Sequence, residues 1–384
     1  MPTPKPNAEG FWSSVGPYFA MMPADWASRM INELCPPDGS VLDPFMGRGT
    51  TIFAAKTSGR TGLGCDVSPI AWLWTATKCD PEPDMMRLIE RLSDIEAGIL
   101  DVDSQAENEF QSWCWSPRVL GFLRSARRCL DWKGSRTDRT LMAIILLYIH
   151  AKLGYGLSNQ MNGSRPTSPD YSIRWWSSRG MRPPEIDPVD FLISKIQYRY
   201  RHGIPCGKPC DIRLGPAEYV LPDPATTDYR FDLLITSPPY LGVTNYRLDN
   251  WIRLWMLGDS ASPDLGDTAQ KYIDKRLYIA MLDAILHRAA GLLKPEASIL
   301  VRTDSRIWTR NVTAALIAEI WPDRPILCRS EIPERGKTQT VLLNSAVDCP
   351  GETDFLICAG GPLNGFKEIK NCVPRAGLDA ILAV

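Results

Sequence analysis

The stretch that most constrains the fold of this chain is an apolar run that ends in two prolines. Phe231-Asp232-Leu233-Leu234-Ile235 leads directly into Thr236-Ser237-Pro238-Pro239-Tyr240. The run predicts a buried strand, and because proline has no N–H to donate to a sheet, the chain must leave the sheet there in a fixed, extended turn. The hydroxyl of Ser237 and the ring of Tyr240 are therefore expected at the carboxyl end of a strand, where open α/β sheets bind ligands.

A second stretch, nearer the amino terminus, has the form of a strand, a glycine loop and a helix. Ser40-Val41-Leu42 predicts a short strand, Asp43-Pro44-Phe45-Met46-Gly47-Arg48-Gly49-Thr50 predicts the loop, and a helix is expected from Ile52 to Thr57. This order is typical of the first turn of a nucleotide-binding α/β unit. The alternative is an ordinary strand, turn and helix without a ligand.

The residues around this loop indicate the charge of its ligand. No third glycine follows Gly49, so the fingerprint of a pyrophosphate site is incomplete. An acid, Asp43, heads the loop, which favours a cationic ligand, such as one that carries a sulfonium and an ammonium group, over a phosphate. The next predicted strand, Gly62 to Cys65, ends in Asp66, and this acid lies 23 positions after Asp43, a spacing that suits a contact with ribose hydroxyls.

Between these two stretches the chain changes character. With 384 residues it is long enough for two domains, or for one domain with a large insertion. The segment from Gln111 to Arg201 holds 15 Lys or Arg and 6 Asp or Glu, a local charge of +9, whereas the whole chain has a formal net charge of -1. Aromatic residues are interleaved with these charges, which is typical of nucleic-acid binding; the alternative is a solvated helical domain whose aromatic side chains form its core.

Cysteine usage and the chain start bear on metals and on compartment. Eleven cysteines occur without a CxxC pair, and Cys206 and Cys210 have no further Cys or His at zinc spacing, so no metal site is expected. The first six residues lack an apolar signal core, and the longest apolar run, from Leu141 to Ile149, is shorter than the roughly 20 residues that span a bilayer. We therefore expect reduced cysteines, a cytoplasmic protein and no membrane contact.

Taken together, the two motifs resemble those of the amino-methyltransferase family of DNA methylases. The matching residues are Asp43-Pro-Phe-Met-Gly-Arg-Gly-Thr and Thr236-Ser-Pro-Pro-Tyr, with Asp66 between them and Gly16-Pro17-Tyr18 upstream. Members of this family use S-adenosylmethionine to methylate exocyclic amines of bases. The resemblance implies an α/β fold, a Rossmann-like class I methyltransferase sheet with helices on both faces, plus a mainly helical insertion. It covers residues 11–78 and 205–345.

The resemblance also implies domain bounds and a role for each matched residue. The methyltransferase core would comprise residues 11–79 and 205–384. Residues 80–204 match no motif of the family, and their charge and helical pattern instead predict a helical, basic insertion that is a candidate for target recognition. Phe45, Gly47 and Gly49 would line the methionine end of the cofactor, Asp66 would hold the ribose, Asp211 the adenine side, and Tyr18 would cover the cofactor. The full set of expected cofactor-binding residues is Tyr18, Asp43, Pro44, Phe45, Gly47, Gly49, Thr50, Asp66 and Asp211.

The expected catalytic residues are Ser237, Pro238, Pro239 and Tyr240. Family members with Asp or Asn at the Ser237 position are usually adenine-N6 enzymes, whereas Ser-Pro-Pro-Tyr is similar to the cytosine-N4 branch. The Ser237 hydroxyl and the Pro238 carbonyl would accept hydrogen bonds from the amine, which favours its nucleophilic form and disperses the developing charge. Tyr240 would stack on the base and fix it in line with the methyl group. Because a base inside a duplex cannot reach such a pocket, base flipping or a single-stranded substrate is implied, and double-stranded DNA with a flipped base is the expected substrate.

DNA contacts are expected from the basic insertion. The candidates are Arg124, Arg127, Arg128, Arg165 and Arg174, and the polar loop from Asn159 to Tyr171 lies between two more regular segments. No helix-turn-helix or similar reading element is recognisable. The cofactor loop precedes the catalytic motif, whereas many cytosine-N4 enzymes have the opposite order, so the location of target recognition is not implied by the resemblance.

The predicted function is therefore site-specific methylation of cytosine N4 in DNA, in a prokaryotic cell or encoded by a phage, for restriction-modification or epigenetic marking and with a cognate restriction system as a partner. The alternatives are adenine-N6 methylation, methylation of a base amine in RNA, and a nucleic-acid-binding module without catalysis. Cytosine-C5 methylation needs a cysteine nucleophile. Gly203-Ile204-Pro205-Cys206 is superficially similar to such a loop, but Cys206 precedes Asp211 instead of closing a buried strand, and we interpret it as a linker residue.

Overall fold

A computed structural model describes residues 7–16, 22–243, 245–260, 263, 273–331, 351–358 and 363–369. Within these residues the chain divides into two compact units. The helical unit takes the described parts of Met1–Phe19, Pro69–Cys206 and Tyr246–Asp267, and the sheet unit takes those of Ala20–Ser68, Gly207–Asn245 and Thr268–Val384. No helix in the described parts of the chain is long and apolar enough to cross a bilayer.

The elements alternate along the chain between these units. In chain order, the α-helices are α1 (Ala8–Ser13), α2 (Ala24–Leu34), α3 (Thr50–Thr57), α4 (Pro69–Cys79), α5 (Met85–Ala97), α6 (Glu109–Cys114), α7 (Pro117–Cys129), α8 (Arg136–Tyr148), α9 (Pro169–Ser177), α10 (Pro188–Tyr200), α11 (Ala217–Val220), α12 (Trp251–Met256), α13 (Lys275–Ala290) and α14 (Ile307–Ile320). The strands are β1 (Ser40–Asp43), β2 (Thr61–Asp66), β3 (Cys210–Leu214), β4 (Phe231–Thr236), β5 (Leu293–Asp304), β6 (Leu327–Glu331), β7 (Glu352–Ile357) and β8 (Lys367–Glu368). The described residues also include two 3-10 helices, Asp101–Ser104 and Leu248–Asn250.

The strands form one mixed sheet in the order β3-β2-β1-β4-β5-β7-β6-β8. The first five strands in this order are mutually parallel, and β7 is antiparallel to both of its neighbours. The carboxyl ends of β2, β1, β4 and β5 therefore meet at one side of the sheet, here named the carboxyl edge. Because the order of the strands reverses beside β1, this edge is where an open α/β sheet binds its ligand.

Side chains that alternate along the strands cover both faces of the sheet. Val41, Leu233, Leu300 and Leu356 pack with buried residues of α2 and α3. The intervening side chains, among them Leu42, Leu234, Ile299 and Phe355, pack with residues of α11, α13 and α14. This two-sided burial explains why the strands read as nearly continuous apolar runs. The α/β fold, a Rossmann-like sheet with helices on both faces, is thereby confirmed.

The helical unit begins several of its helices with proline. Pro117, Pro169 and Pro188 occupy the first positions of α7, α9 and α10, where the missing N–H has no partner to lose. The side chains of Ser116 and Asp187, just before two of these prolines, accept hydrogen bonds from the free N–H groups of the first turn. These helices therefore begin where local sequence dictates.

Some aromatic residues of the insertion form a core. Trp115 and Trp176 are almost fully buried, and Phe110 lies between them, with ring centroids 6.0 and 5.7 Å away. Trp115 also stacks on Trp255 of α12 at 5.2 Å. For these residues the alternative of an aromatic core is the correct one, whereas the rings of Trp113 and Trp175 stay partly exposed.

The sequence also predicts that Asp211 ends a strand, that Lys294-Pro295-Glu296 ends a helix and that Asp354–Cys358 is an edge strand, and all three predictions are wrong. Asp211 does not end its strand but stands second in β3, in register with Leu63. Lys294-Pro295-Glu296 does not end a helix but lies in β5, where the pairing with β4 shifts and a proline is tolerated. The strand at Asp354 is not at an edge, because β7 lies between β5 and β6.

The sequence further predicts a hairpin at Glu334–Lys337 and a strand at Thr338–Leu343, and both lie outside the described residues. The domain bounds of 11–79, 80–204 and 205–384 stay a prediction. The compact units have other limits, since the helical unit begins again at Pro69 and includes part of Tyr246–Asp267.

Candidate active site

The glycine loop follows β1 and turns the chain into α3. Gly47 and Gly49 have φ angles of +51° and +75°, and Gly49 is the N-cap of α3. Side chains rarely adopt this left-handed conformation, so glycine is required at both positions. The N–H of Met46 donates to the carbonyl of Cys65 over 3.1 Å, which ties the loop to β2. A Cβ on Gly47 would meet nothing within 4 Å, so the loop faces open space there.

Asp43 ends β1 and connects the loop to the catalytic motif. Its Oδ1 accepts hydrogen bonds from the N–H of Phe45 at 3.1 Å and from the hydroxyl of Thr236 at 2.7 Å, and its Oδ2 accepts one from Thr51. The carboxyl group is buried, and burial raises its pKa to about 6, although these hydrogen bonds oppose the shift. Asp43 therefore joins β1, α3 and β4, and a direct contact with a cofactor stays a prediction.

Asp66 ends β2 and holds the tip of the loop. Its Oδ2 accepts a hydrogen bond from the N–H of Gly47 at 2.9 Å, and its Oδ1 accepts one from Ser68 at 2.8 Å. The residue is partly exposed, unlike Asp43. Burial of the carboxyl group raises its pKa to about 6, while the two backbone donors lower it. A carboxylate of this kind, at the end of a strand and beside a glycine loop, has spare acceptor capacity for hydroxyl donors.

Ser237-Pro238-Pro239-Tyr240 follows β4 at the same edge. Ser237 is partly exposed, whereas the two prolines and Tyr240 are buried, with Tyr240 7% exposed. The Ser237 hydroxyl donates to the hydroxyl of Tyr240 over 3.5 Å. Arg306, which pairs with Asp304 at 2.8 Å, donates to the carbonyl of Leu241 at 2.8 Å and braces the chain just after the motif. The motif is thus held at its start by β4 and at its end by the contact between Arg306 and Leu241.

A buried group of charges lies behind Tyr240, and the sequence analysis missed it. The Tyr240 hydroxyl donates to Oε1 of Glu352 at 3.2 Å, and Oε2 of Glu352 accepts from Arg302 at 2.8 Å. Arg302 also donates to both oxygens of Asp354, at 2.6 and 2.9 Å, and its guanidinium lies 3.8 Å from the ring centroid of Trp26. Burial raises the pKa of Tyr240 well above its ordinary value, and the charge of Glu352 raises it further.

One sequence signal could have led to this group. Arg302 and Asp354 are charged residues within apolar runs that become strands, and a charge is rarely buried unless it is paired. Their side chains are each 1% exposed. The run of residues before Glu352 carries no comparable signal, and only the antiparallel placement of β7 beside β5 brings Glu352 to the carboxyl edge.

The structure brings most of the expected site residues together. The glycine loop, Asp43, Asp66 and the Ser-Pro-Pro-Tyr motif share the carboxyl edge of β2, β1 and β4. It does not bring Asp211 there, because Leu214, and not Asp211, lies in register with Asp66. Asp211 instead pairs with Arg213 at 2.7 Å. Tyr18 lies outside the described residues.

The candidate DNA-binding arginines of α7 have partners within the helical unit. Arg124 donates to Val102 and Gln105 carbonyls and pairs with Glu107 at 3.0 Å. Arg128 holds both oxygens of Asp103 at 2.9 Å. The guanidinium of Arg127 donates to the carbonyl of Asp259 and lies over the Trp255 ring.

The other two candidates differ from each other. Arg165 pairs with Asp249 at 2.7 Å, but its side chain is 53% exposed. Arg174 is exposed on α9, and no carboxylate of the described residues lies within ion-pairing distance of it. A role in DNA binding stays a prediction for all five arginines, and among them Arg174 is the most available for a partner outside the chain.

Two solved structures resemble this chain weakly. The rRNA methyltransferase aviRa from Streptomyces viridochromogenes is 13% identical, with 91% of this chain and 89% of that chain covered and a TM-score of 0.30. An rRNA methylase from Streptococcus thermophilus is 9% identical, with 88% and 97% covered and a TM-score of 0.33. TM-scores this low support no conclusion about function.

Two matches in sequence each cover a short part of the chain. The curated Type II methyltransferase M.ScaI from Streptomyces caespitosus is 40% identical over 48 residues, which make up 12% of this chain and 16% of the length of that relative. Residues 2–71 match a family model described as DNA methylase, and this range includes the glycine loop and Asp66. The match supports the DNA methylase family for this part of the chain, and S-adenosylmethionine is the cofactor that it implies.

Proposed function

We propose that the protein transfers a methyl group from S-adenosylmethionine to the exocyclic N4 amine of a flipped cytosine in DNA. The observation that supports this most is the hydrogen bond of 2.7 Å between Asp43 and Thr236, which joins the cofactor loop to the catalytic motif at one edge of the sheet. The match of residues 2–71 to a DNA methylase model agrees with it. Ser237 supports cytosine as the target, since the resemblance associates a serine at this position with the N4 branch.

The residues at the carboxyl edge fit S-adenosylmethionine. The glycine loop leaves open space at Gly47, Phe45 is partly exposed beside it, and Asp66 offers acceptors for ribose hydroxyls. Asp43 and Asp66 together make the site acidic, which suits a ligand with a sulfonium and an ammonium group. When bound, S-adenosylmethionine supplies an activated methyl group, so that the chain itself needs no covalent nucleophile.

Residues of the catalytic motif would activate the amine. The lone pair of a cytosine amine is conjugated with the ring, and acceptors on its hydrogens favour the pyramidal form that can attack. The Ser237 hydroxyl and the Pro238 carbonyl are such acceptors on a turn that two prolines make rigid. Tyr240, held at its hydroxyl by Glu352, would place its ring against the base and exclude water.

The test is nucleoside analysis after incubation of the protein with DNA and methyl-labelled cofactor. We expect label in N4-methylcytosine. Label only in N6-methyladenine would reject cytosine as the target, and label in RNA but not in DNA would reject DNA. Cofactor binding without any transfer to a nucleic acid would instead support a binding module. Mapping of the methylated positions in DNA from cells that express the protein would then give the recognition sequence and show whether marking is site-specific.

The raised pKa of Asp66 predicts a pH dependence of cofactor binding. The carboxylate form accepts the hydrogen bonds of the ribose, and with a pKa of about 6 this form grows from about a tenth at pH 5 to about nine tenths at pH 7. Affinity should therefore rise by about tenfold between these pH values. Isothermal titration calorimetry at both pH values checks this, and Asp66→Asn should remove most of the dependence. An equal rise in the variant would show that another group is responsible.

The surface around α9 is our candidate for contact with the DNA backbone. It consists of Tyr171, Arg174, Trp175, Arg179 and Arg182, and is named the α9 surface. Tyr171 is 51% exposed, and Arg179 lies 4.5 Å from the ring centroid of Trp175. Arg182 similarly lies 5.1 Å from the ring of Trp113. No carboxylate in the described parts of the chain pairs with Arg174, Arg179 or Arg182, in contrast to the paired arginines of α7. Phosphates would supply the missing negative charge.

Charge reversal at all three of these arginines should weaken DNA binding. We expect the affinity of Arg174→Glu/Arg179→Glu/Arg182→Glu to fall by at least about tenfold and the slope of log affinity against log salt to flatten by roughly three, because each phosphate contact contributes about one. Fluorescence anisotropy over a salt series measures both. The matched control is Arg87→Glu/Lys133→Glu/Lys152→Glu, which changes the same charge at exposed cations elsewhere on the helical unit. Equal losses in both triple variants would show that net charge, and not the α9 surface, is responsible.

A further inference from the structure

The buried charges next to Tyr240 determine the direction of the hydrogen bonds that the hydroxyls of Tyr240 and Ser237 make. A carboxylate beside an arginine accepts hydrogen bonds and has none to donate. Glu352 Oε2 accepts a hydrogen bond from the Arg302 guanidinium at 2.8 Å, and Glu352 Oε1 lies 3.2 Å from the Tyr240 hydroxyl. Because this carboxylate can only accept, the Tyr240 hydroxyl is the donor of the second hydrogen bond. The side chain of Glu352 is 16% exposed and that of Arg302 is 1% exposed. Water therefore has little access to these groups and does not reverse the direction of the hydrogen bond from Tyr240 to Glu352.

The direction set by Glu352 extends to Ser237. With its own proton directed to Glu352, the oxygen of Tyr240 is free to accept, and the Ser237 hydroxyl donates to it over 3.5 Å. The proton of Ser237 then points into the protein, and the lone pairs of its oxygen remain for another donor. The proposed reaction needs this state, because an amine that is about to be methylated has hydrogens to donate.

We infer that Glu352 is a positioning residue that acts through Tyr240 to keep the Ser237 hydroxyl an acceptor toward the substrate amine. The inference rests on the proposed function of the Ser-Pro-Pro-Tyr motif. It adds to that function a residue 115 positions away from Ser237 in the sequence, on a different strand. It also gives the hydroxyl of Tyr240 a role that is separate from stacking of the ring.

The decisive substitution is Glu352→Gln, which keeps shape but changes hydrogen bonding. Arg302 offers only donors, so the amide oxygen of the glutamine turns to Arg302 and its NH2 group turns to Tyr240. Tyr240 then accepts from the amide and donates to Ser237, and the Ser237 proton is turned toward the substrate. We expect kcat to fall by at least about tenfold with KM for DNA and cofactor changed less than about twofold, since the lost interaction is one that strengthens in the transition state.

A matched control is available at the same arginine. Glu331 pairs with Arg302 at 3.3 Å and has no contact with Tyr240, and its side chain is 42% exposed. Glu331→Gln should therefore leave kcat unchanged. An equal loss of kcat in Glu331→Gln and Glu352→Gln would overturn the inference, because it would assign the effect to the charge around Arg302.

A second variant tests the two hydrogen bonds from Ser237 to Tyr240 and from Tyr240 to Glu352 without any change at Arg302. Tyr240→Phe removes the oxygen that accepts from Ser237 and should lower kcat by a similar factor, and addition of Glu352→Gln to Tyr240→Phe should then have no further effect. Full kcat in Tyr240→Phe would overturn the inference even if Glu352→Gln folded poorly, and independent losses in a folded double variant would overturn it as well. The proposed function fails separately, when the unaltered protein transfers no methyl group to any nucleic acid.

Discussion

Tyr240→Ala will reduce methyl transfer by at least about 100-fold, since misplacement of a reacting group by 1 Å can have an effect of this size. The alanine has neither the ring that would stack on the base nor the hydroxyl that contacts Ser237 and Glu352. Affinity for S-adenosylmethionine should change by less than about twofold, because the residues that fit the cofactor, Gly47 and Asp66, lie in the loop after β1 and at the end of β2. Single-turnover transfer of labelled methyl groups and calorimetry of cofactor binding measure the two effects.

The control for this substitution is Tyr229→Ala. Tyr229 is half exposed, stacks on Phe231 with centroids 6.0 Å apart, and precedes β4, whereas Tyr240 follows it. The same loss of an aromatic side chain there should leave transfer intact. If cofactor affinity collapsed together with transfer in Tyr240→Ala, the separation of a cofactor site and a base site along the carboxyl edge would be wrong.

The sequence predicted the parts of this site that follow local rules. Proline ends a strand and glycine permits a left-handed turn wherever they occur, so Pro238 located the end of β4, and Gly47 and Gly49 located the loop after β1. Both strands are mostly apolar, although Asp232 interrupts β4, because helices cover the sheet on both faces. Two such ends then had to share the same edge, since parallel strands point in the same direction.

What the sequence could not provide is pairing between distant segments. Register decides whether an acid reaches the carboxyl edge, and a difference of three residues along β3 keeps Asp211 from the position beside Asp66 that Leu214 holds. In the same way, Glu352 reaches Tyr240 only because β7 is inserted antiparallel between β5 and β6. Neither relation leaves a periodic signal along the chain.

For a related reason, charge along the sequence does not show which arginines already have a partner within the chain. The basic residues of Gln111–Arg201 suggested a nucleic-acid surface, but Arg124 and Arg128 of α7 meet Glu107 and Asp103 from the acidic segment just before it. A local charge of +9 is therefore partly compensated by neighbouring segments once the chain folds. These arginines differ from those of the α9 surface in their pairing with carboxylates, and that pairing depends on the fold.

Asp43→Ala tests whether the acid that heads the glycine loop acts on the fold or on the ligand. The substitution removes the buried acceptor of three hydrogen bonds, which come from the N–H of Phe45 and from the hydroxyls of Thr51 and Thr236. We expect the free energy of unfolding to fall by roughly 2–5 kcal/mol, because each unpaired buried donor costs about 1–3 kcal/mol and the hydroxyls can partly reorient. Chemical denaturation without cofactor measures this.

The matched variant Asp66→Ala removes an acid of the same kind from the neighbouring strand, where it is partly exposed and serves the backbone of Gly47 and Ser68. It should destabilise the protein less than Asp43→Ala does and weaken cofactor binding more. The opposite ranking, with stability unchanged in Asp43→Ala and cofactor affinity lost, would mean that Asp43 faces the ligand. Its three internal hydrogen bonds argue for the fold, because an oxygen pair already engaged by a strand, a loop and a helix has little capacity left for a ligand.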